Sequence, residues 1–464
     1  MARISRRRVP EDSMEDTLIE QLKNEIRYEF SREGPPEGFP KFPDIPGGRY
    51  TDPEFFELEQ KHLWPRTWLL AGRQEDLPEV DSYWVWESLR DTPVVLVRDD
   101  EMRIRAFRNE SPNNAPLVPW HDESHLRTEV EFDAPGKLFR QQHFPRRTLP
   151  DGALRCQRRG WAYDTNGHLV AVPFGEQLDA IPYEDRSLTE YRCEVWDGWV
   201  FVNQDPDAMP LLEWLGPIAR QMAQFQGENL RLFEKDSLVI NCNWKVTVEA
   251  FQEVYHFKHI HQKDGVTSID QRGATMGLFP HGHSRMITPV TKRAAAASGM
   301  DDPLDWRPGL GMMRSFAVRG PIPEIETVVP MVNCTSTAFS IFPNLITPVG
   351  STGMPFLLCW PIDIDHTLFE WVTFQNDWGD DDDPAIVQMR ADRLHQRTVV
   401  MEEDTRNMTP MQKSLDSPGL IGIPVSYQER RIWHCAETLD RTIGPERIPE
   451  HLRVPQLLEP YLER

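Results

Sequence analysis

The segment Asn241–His261, NCNWKVTVEAFQEVYHFKHIH, constrains this chain more than any other. It opens with strand-like residues, continues as a helix, and then brings Glu253, His256, His259 and His261 close together in sequence. Histidines five apart do not share a helix face as i,i+4 pairs do. His256 and His261 are therefore expected to converge where the helix ends between them and the chain turns. Two neutral imidazoles and one carboxylate on one face, with open positions opposite, form the ligand set of oxygen-activating ferrous iron. The third ligand is then expected far downstream on a rigid element. Asp404, inside MEEDTRNMTPMQ, is the leading candidate, with Glu402 and Glu403 as competitors. His259 is expected to point elsewhere. On residue types alone, a hydrogen-bonded, partly buried histidine cluster stays open as the alternative.

The rest of the chain must supply the scaffold. With 464 residues, 39% hydrophobic content and 15 Trp, it can bury a large core in two or three domains. A net charge of −22 disfavours nucleic-acid partners, which need a basic surface. Six scattered cysteines suggest reduced thiols and a cytoplasmic setting. Neither a secretory signal nor a membrane-spanning run is expected. Residues 1–48 read as an arm: Ser13 caps a helix carrying Leu18, Ile19, Leu22, Ile26 and Phe30, and GPPEGFPKFPDIPGG follows as an extended strap. Residues 49–180 are dominated by short strands, interrupted by a charged excursion over Pro119–Asp151. Residues 181–464 mix long antiparallel strands with helices, including one expected to run from Pro384 to about Met408. The expected class is α+β, a small all-β domain followed by a larger domain with a helix-flanked antiparallel sheet.

These features together resemble the catalytic (alpha) subunits of Rieske-type non-haem iron ring-hydroxylating oxygenases. NWKVTVEAFQEVYHFKHIH looks like their iron-binding signature, and MEEDTRNMTPMQ resembles the downstream segment, with Asp404 at the ligand position and Gln412 at its glutamine. FRNESPNNAPLV, CQRRGWAYDTNGHL and WDGWVFVN look like landmarks of the Rieske domain. The resemblance implies a helix-grip, START-like catalytic domain and a mononuclear Fe(II) held by His256, His261 and Asp404. It also implies a catalytic role for Glu253, where a carboxylate bridges electron transfer between neighbouring subunits; orienting His256 is the plainer reading.

In the family, C-x-H and C-x-x-H loops hold a [2Fe–2S] cluster. Here Ser111 and Asn113 occupy the first pair of positions, and Cys156 and Arg159 the second. Ser and Asn are poor iron ligands, and arginine is a permanently charged donor that cannot bind a cation. The chain's own cluster is therefore expected to be absent, with Arg159 filling the vacancy by bonding to nearby carbonyls or to Asn113. His121, His125 and His143 in the excursion come without a second thiolate. What the resemblance then implies is an alpha-like subunit in a hetero-oligomeric ring, such as α3α'3. A partner alpha subunit's cluster, fed by ferredoxin and reductase, would reduce the iron for O₂-dependent hydroxylation of an apolar aromatic, polycyclic or steroid-like substrate. Phe339, Phe342 and Leu345 are candidates to line its pocket, against plain core packing. A catalytically silent structural or regulatory subunit is the alternative, and an iron lyase or hydrolase needing no reductant is the third option.

Overall fold

The computed structural model describes residues 16–86, 93–112, 115–117, 139–140, 147–175, 182–261, 268–311 and 321–463. Ser13, Asn113 and most of the Pro119–Asp151 excursion, with His121, His125 and His143, lie outside the described residues.

The helix Asp16–Ser31 buries Leu22 and Ile26 completely, as their four-residue spacing predicts, while Phe30 stays exposed. The strap behind it is held by rings: Phe42 stacks on Trp433 at 4.8 Å and Phe39 meets Tyr427 edge-on at 4.7 Å. Ile45–Pro46 then pairs antiparallel with Gly422–Ile423. The arm thus packs on the body of its own chain.

The short strands build an antiparallel seven-stranded sheet in the order 69–73, 199–203, 190–196, 104–108, 94–98, 82–86, 147–148. It runs past residue 180, because Trp199–Asn203 fills the place between Leu69–Arg73 and Glu190–Trp196. A three-stranded sheet of Leu154–Arg155, Ala162–Tyr163 and Leu169–Ala171 sits beside it. The larger antiparallel sheet has eight strands, ordered 275–278, 284–289, 335–341, 345–348, 353–361, 367–375, 231–240, 139–140. One face meets the smaller sheet through Trp199, whose ring lies 4.4 Å from Phe356 and 4.6 Å from Phe374. The other carries the helix Arg430–Ile443, whose Arg431 donates to Ser284 Oγ at 2.9 Å and Ser340 Oγ at 2.6 Å.

The long helix begins as its aspartate-proline start predicts: Asp383 accepts from the Ala385 N–H at 2.8 Å and Pro384 fills the first turn. It ends at Leu415, about two turns past Met408, and contains Pro410. Met408 and Leu415 are buried and Gln412 is bonded across to Asn243. Packing therefore carries the helix through a proline at which local propensity would stop it. Among the described residues, no helix is long and apolar enough to cross a membrane.

Four buried groups have pKa values pushed well away from their ordinary ones. Burial pushes His283 down to about 3 and His434 down to about 4, and pushes Glu249 up to about 7 and Asp197 up to about 6. Below pH 6.5 the unfolded histidines take up protons that the folded ones refuse, so stability falls with pH; the raised carboxyls bind protons more readily when folded, so stability rises. Between pH 7 and 5 the histidines cost about 2 kcal/mol each, while Glu249 restores about 2 kcal/mol and Asp197 about 1 kcal/mol. Denaturant melts are expected to be nearly flat across that range, and Glu249→Gln to lose about 2 kcal/mol on acidification relative to the parent. A parent profile already falling steeply at pH 6 would contradict this balance.

Candidate metal centre

The helix Trp244–Ala250 is fixed at its start by Asn243. The Asn243 side chain accepts from the Lys245 N–H at 3.1 Å and donates to the carbonyls of Ile364 at 2.7 Å and Tyr50 at 3.2 Å. Its backbone N–H donates to Gln412 Oε1 at 2.9 Å, tying this helix to the long one. Next to it, buried Glu59 accepts from Trp244 Nε1 at 3.0 Å and from Lys245 Nζ at 2.6 Å. The helix does not end between the histidines, as the spacing suggested. It stops at Ala250, and His256 and His261 instead flank a separate helical turn, Phe257–Ile260. His261 leaves that turn with a non-helical backbone (φ −93°, ψ 64°), which lets two residues five apart face each other.

Three electron-rich atoms converge there. His256 Nε2 lies 3.2 Å from His261 Nε2, and Asp404 Oδ1 lies 3.1 Å from the latter and 3.7 Å from the former. The opposite ring nitrogens are occupied by carboxylates: Glu253 holds His256 Nδ1, and Glu403 Oε2 holds His261 Nδ1 at 2.8 Å. Glu253 also accepts from the backbone N–H groups of Tyr255 and His256, which clamps the loop. With both Nδ1 protons committed outward, two imidazole lone pairs and a carboxylate face one another. Burial lowers the basicity of His261, but hydrogen bonds and charge from Asp404 and Glu403 outweigh it and hold its pKa above the ordinary histidine value.

That arrangement fits a cation. Metal bonds of about 2.1 Å at right angles set neighbouring ligand atoms about 3.0 Å apart, close to the separations seen here. The donor set, two neutral nitrogens and one carboxylate oxygen on one side, suits ferrous iron. The structure thus brings His256, His261 and Asp404 together and separates the competitors. Glu403 stands behind His261, and Glu402 and His259 are exposed. Glu403 was weighed as a ligand; its orienting contact had no signal in sequence. Glu253→Gln or Glu403→Gln is expected to weaken metal binding by about 10- to 100-fold with all three ligand residues intact, read by chelator competition.

The ground beneath the imidazoles is apolar. Phe257 lies 4.7 Å from the His256 ring and 5.0 Å from that of His261, and packs on a cluster of Val254, Ala274, Met276, Met286 and Ala338. Phe339, Phe342 and Leu345 instead belong to the main core. Strand alternation turns Phe339 and Leu345 to the opposite face of the sheet from Ala338 and Ile346.

At the cluster-ligand positions, buried Ser111 shares a hydrogen bond of 2.7 Å with the hydroxyl of buried Tyr163. Cys156 is buried, and none of the six cysteines forms a disulfide. Arg159 is exposed on its turn, so it does not bond inward at this position as expected; a solvated guanidinium avoids the cost of burial. The two loops are joined by protein contacts, with Gln157 donating from its N–H to Pro116 O at 2.9 Å and from Nε2 to Leu117 O at 3.0 Å.

Residues 227–444, which carry the whole triad, match the family described as ring hydroxylating alpha subunit (catalytic domain). This segment belongs to that family. The chain is 28% identical over 213 residues to biphenyl 2,3-dioxygenase subunit alpha of Rhodococcus jostii (strain RHA1), covering 45% of this chain and 41% of that protein. It is 26% identical to the methanesulfonate monooxygenase hydroxylase subunit alpha of Methylosulfonomonas methylovora, covering 50% of this chain and 54% of that one. The chain spans about half the length of these curated relatives. Among solved structures, a quaternary ammonium Rieske monooxygenase superposes with a TM-score of 0.64 at 18% identity, over 87% of this chain and 97% of that one. Naphthalene 1,2-dioxygenase from Rhodococcus sp. gives 0.60 at 16% identity, over 93% and 99%. Those two likenesses are of fold, and they agree with the α+β class expected from sequence.

Proposed function

We propose that this chain is an alpha-like oxygenase subunit that holds one ferrous iron and draws its electrons from a partner. The convergence of His256 Nε2, His261 Nε2 and Asp404 Oδ1, with Glu253 and Glu403 fixing the imidazoles, carries this reading. Iron bound there supplies open positions and redox chemistry for O₂-dependent hydroxylation. The residues do the rest. Glu253 and Glu403 keep both rings in the tautomer that offers Nε2, and Phe257 with its apolar neighbours excludes water from one side. That surface favours an apolar, ring-containing substrate.

The small β domain, in this reading, keeps its loops without a cluster. Ser111 and Arg159 offer no ligand, and the Ser111–Tyr163 hydrogen bond occupies ground where a cluster's first loop would open. A cluster-bearing alpha subunit in a mixed ring then supplies electrons, with Glu253 near the point of entry. Metal and acid-labile sulfide analysis of the isolated chain tests this: about one iron and no sulfide are expected. Turnover is expected only with the partner and its reductase. Stoichiometric sulfide would overturn the proposal, and a complex that keeps full activity when His256 is replaced by Ala would assign the chain the silent, structural role instead.

A further inference from the structure

The three converging atoms come from two elements far apart in the chain, the histidine loop behind the helix Trp244–Ala250 and the long helix Pro384–Leu415. Outside the triad, Glu403 and Gln412 bond across between them. Glu403 and its partner His261 are 30% and 23% exposed, so water competes for that bond. The bond from the Asn243 N–H to Gln412 Oε1, at 2.9 Å, lies between residues that are 0% and 4% exposed. Water does not compete there, and the bond holds firmly.

Both partners are fixed from behind. Gln412 Nε2 donates to Asp416 Oδ1 at 3.1 Å, which turns Oε1 toward Asn243. The Asn243 side chain is committed to Lys245, Ile364 and Tyr50. Asp404, Met408, Gln412 and Leu415 recur at steps of four, four and three and are all buried, so Gln412 lies on the stripe that carries Asp404. It stands about 12 Å further along the axis. Pro410, between the two, cannot give the carbonyl of Arg406 the backbone hydrogen bond that another residue would. The end of the helix therefore leans on a side-chain anchor.

We propose that Gln412 is a positioning residue for the metal: by accepting from the Asn243 N–H it sets the rotation of the long helix at which Asp404 Oδ1 meets His256 Nε2 and His261 Nε2. This rests on the reading of those three residues as iron ligands. A ligand constellation tolerates only about 10–20° of misorientation, so a small rotation of the helix lengthens one metal bond. Without an acceptor at position 412 the Asn243 N–H is a buried donor left unpaired, and the two helices shift to find it a partner. Gln412 touches none of the three ligands, so its effect on them passes through the backbone of the helix.

Cobalt(II), whose visible absorption reports ligand number and geometry, is titrated into the metal-free full chain against a chelator. Gln412→Met keeps the volume and removes the acceptor; it is expected to bind Co(II) at least about tenfold more weakly and with altered absorption. Gln412→Asn, which draws the amide back by one methylene at less risk to folding, is expected to move both readouts the same way. Gln412→Glu combined with Asp416→Asn exchanges amide and acid, keeps both hydrogen bonds, and is expected to restore them. Ile443→Ala truncates the buried core on neither ligand-bearing element, so it lowers the melting temperature but leaves affinity and absorption as in the parent. Parent-like affinity and absorption in the Gln412→Met and Gln412→Asn chains, no recovery in the exchanged pair, or an equal loss in Ile443→Ala would overturn the proposal. A Co(II) spectrum unchanged by His256→Ala is a separate failure: it would remove the triad as the metal site, and the proposal with it.

Discussion

Asp404→Ala is expected to abolish metal binding and, with it, oxygenase turnover, lowering the rate by at least about 10³-fold in the assembled system. Asp404 supplies the only carboxylate oxygen among the three converging atoms, and its neighbours on the helix cannot replace it. Glu403 is committed to His261 Nδ1, and Glu402 is exposed. The two imidazoles left behind lack the negative charge that offsets a divalent cation. The fold is expected to survive, because Asp404 lies late in a long helix held by Met408, Gln412 and Leu415. The measurement is thermal stability with and without added Fe(II). The parent's melting temperature is expected to rise on metal addition, as mass action requires of a bound ligand, and the variant's to stay unmoved. A variant that retained the metal-induced rise would remove Asp404 from the ligand set.

The second large effect concerns stability. Glu59 and Lys245 form an ion pair of 2.6 Å in which both side chains are almost wholly buried, and Glu59 also accepts from Trp244 Nε1. Burial lowers the Lys245 pKa against the opposing pull of Glu59, so the ammonium depends on its partner. Glu59→Ala strands a buried cation and a buried indole N–H together. The expected loss is about 3–5 kcal/mol, read as a shift in urea midpoint. Replacing both partners with apolar residues, Glu59→Leu with Lys245→Met, is expected to recover most of it, since the pair itself is worth little once no charge is left alone. A Glu59→Ala loss below about 1 kcal/mol would mean that water reaches Lys245. The pair joins the helix Pro53–His62 to the helix that leads into the histidine loop, so the same variant is expected to bind metal more weakly.

Much of the centre was legible in the chain. Residue types, spacing and the family resemblance named His256, His261 and one of three neighbouring acids, Asp404 first, as a candidate site, and the exposure of His259 agrees with its position between the two histidines. The capped start of the long helix was equally plain, because aspartates and a proline act locally. Its end was not: Pro410 reads as a stop, and only the bond between Gln412 and Asn243 and the burial of Leu415 explain why the helix continues.

The order of amino acids by itself determined which atoms are available: two imidazoles and an acid for the proposed iron, and Ser111 and Arg159 where the family's cluster motif has a thiolate and an imidazole. Tertiary structure alone decided which of three consecutive acids faces the histidines. Successive helix residues point about 100° apart, so the choice among Glu402, Glu403 and Asp404 depends on how the long helix is rotated against a partner far away in the chain. It also decided which face of the large sheet lies toward the candidate centre. Thr335–Ile341 is buried at every position, so exposure does not mark one side from the other, and Ala338 rather than Phe339 faces the apolar ground below His256 because the strand's register, set by its neighbours, turns it there.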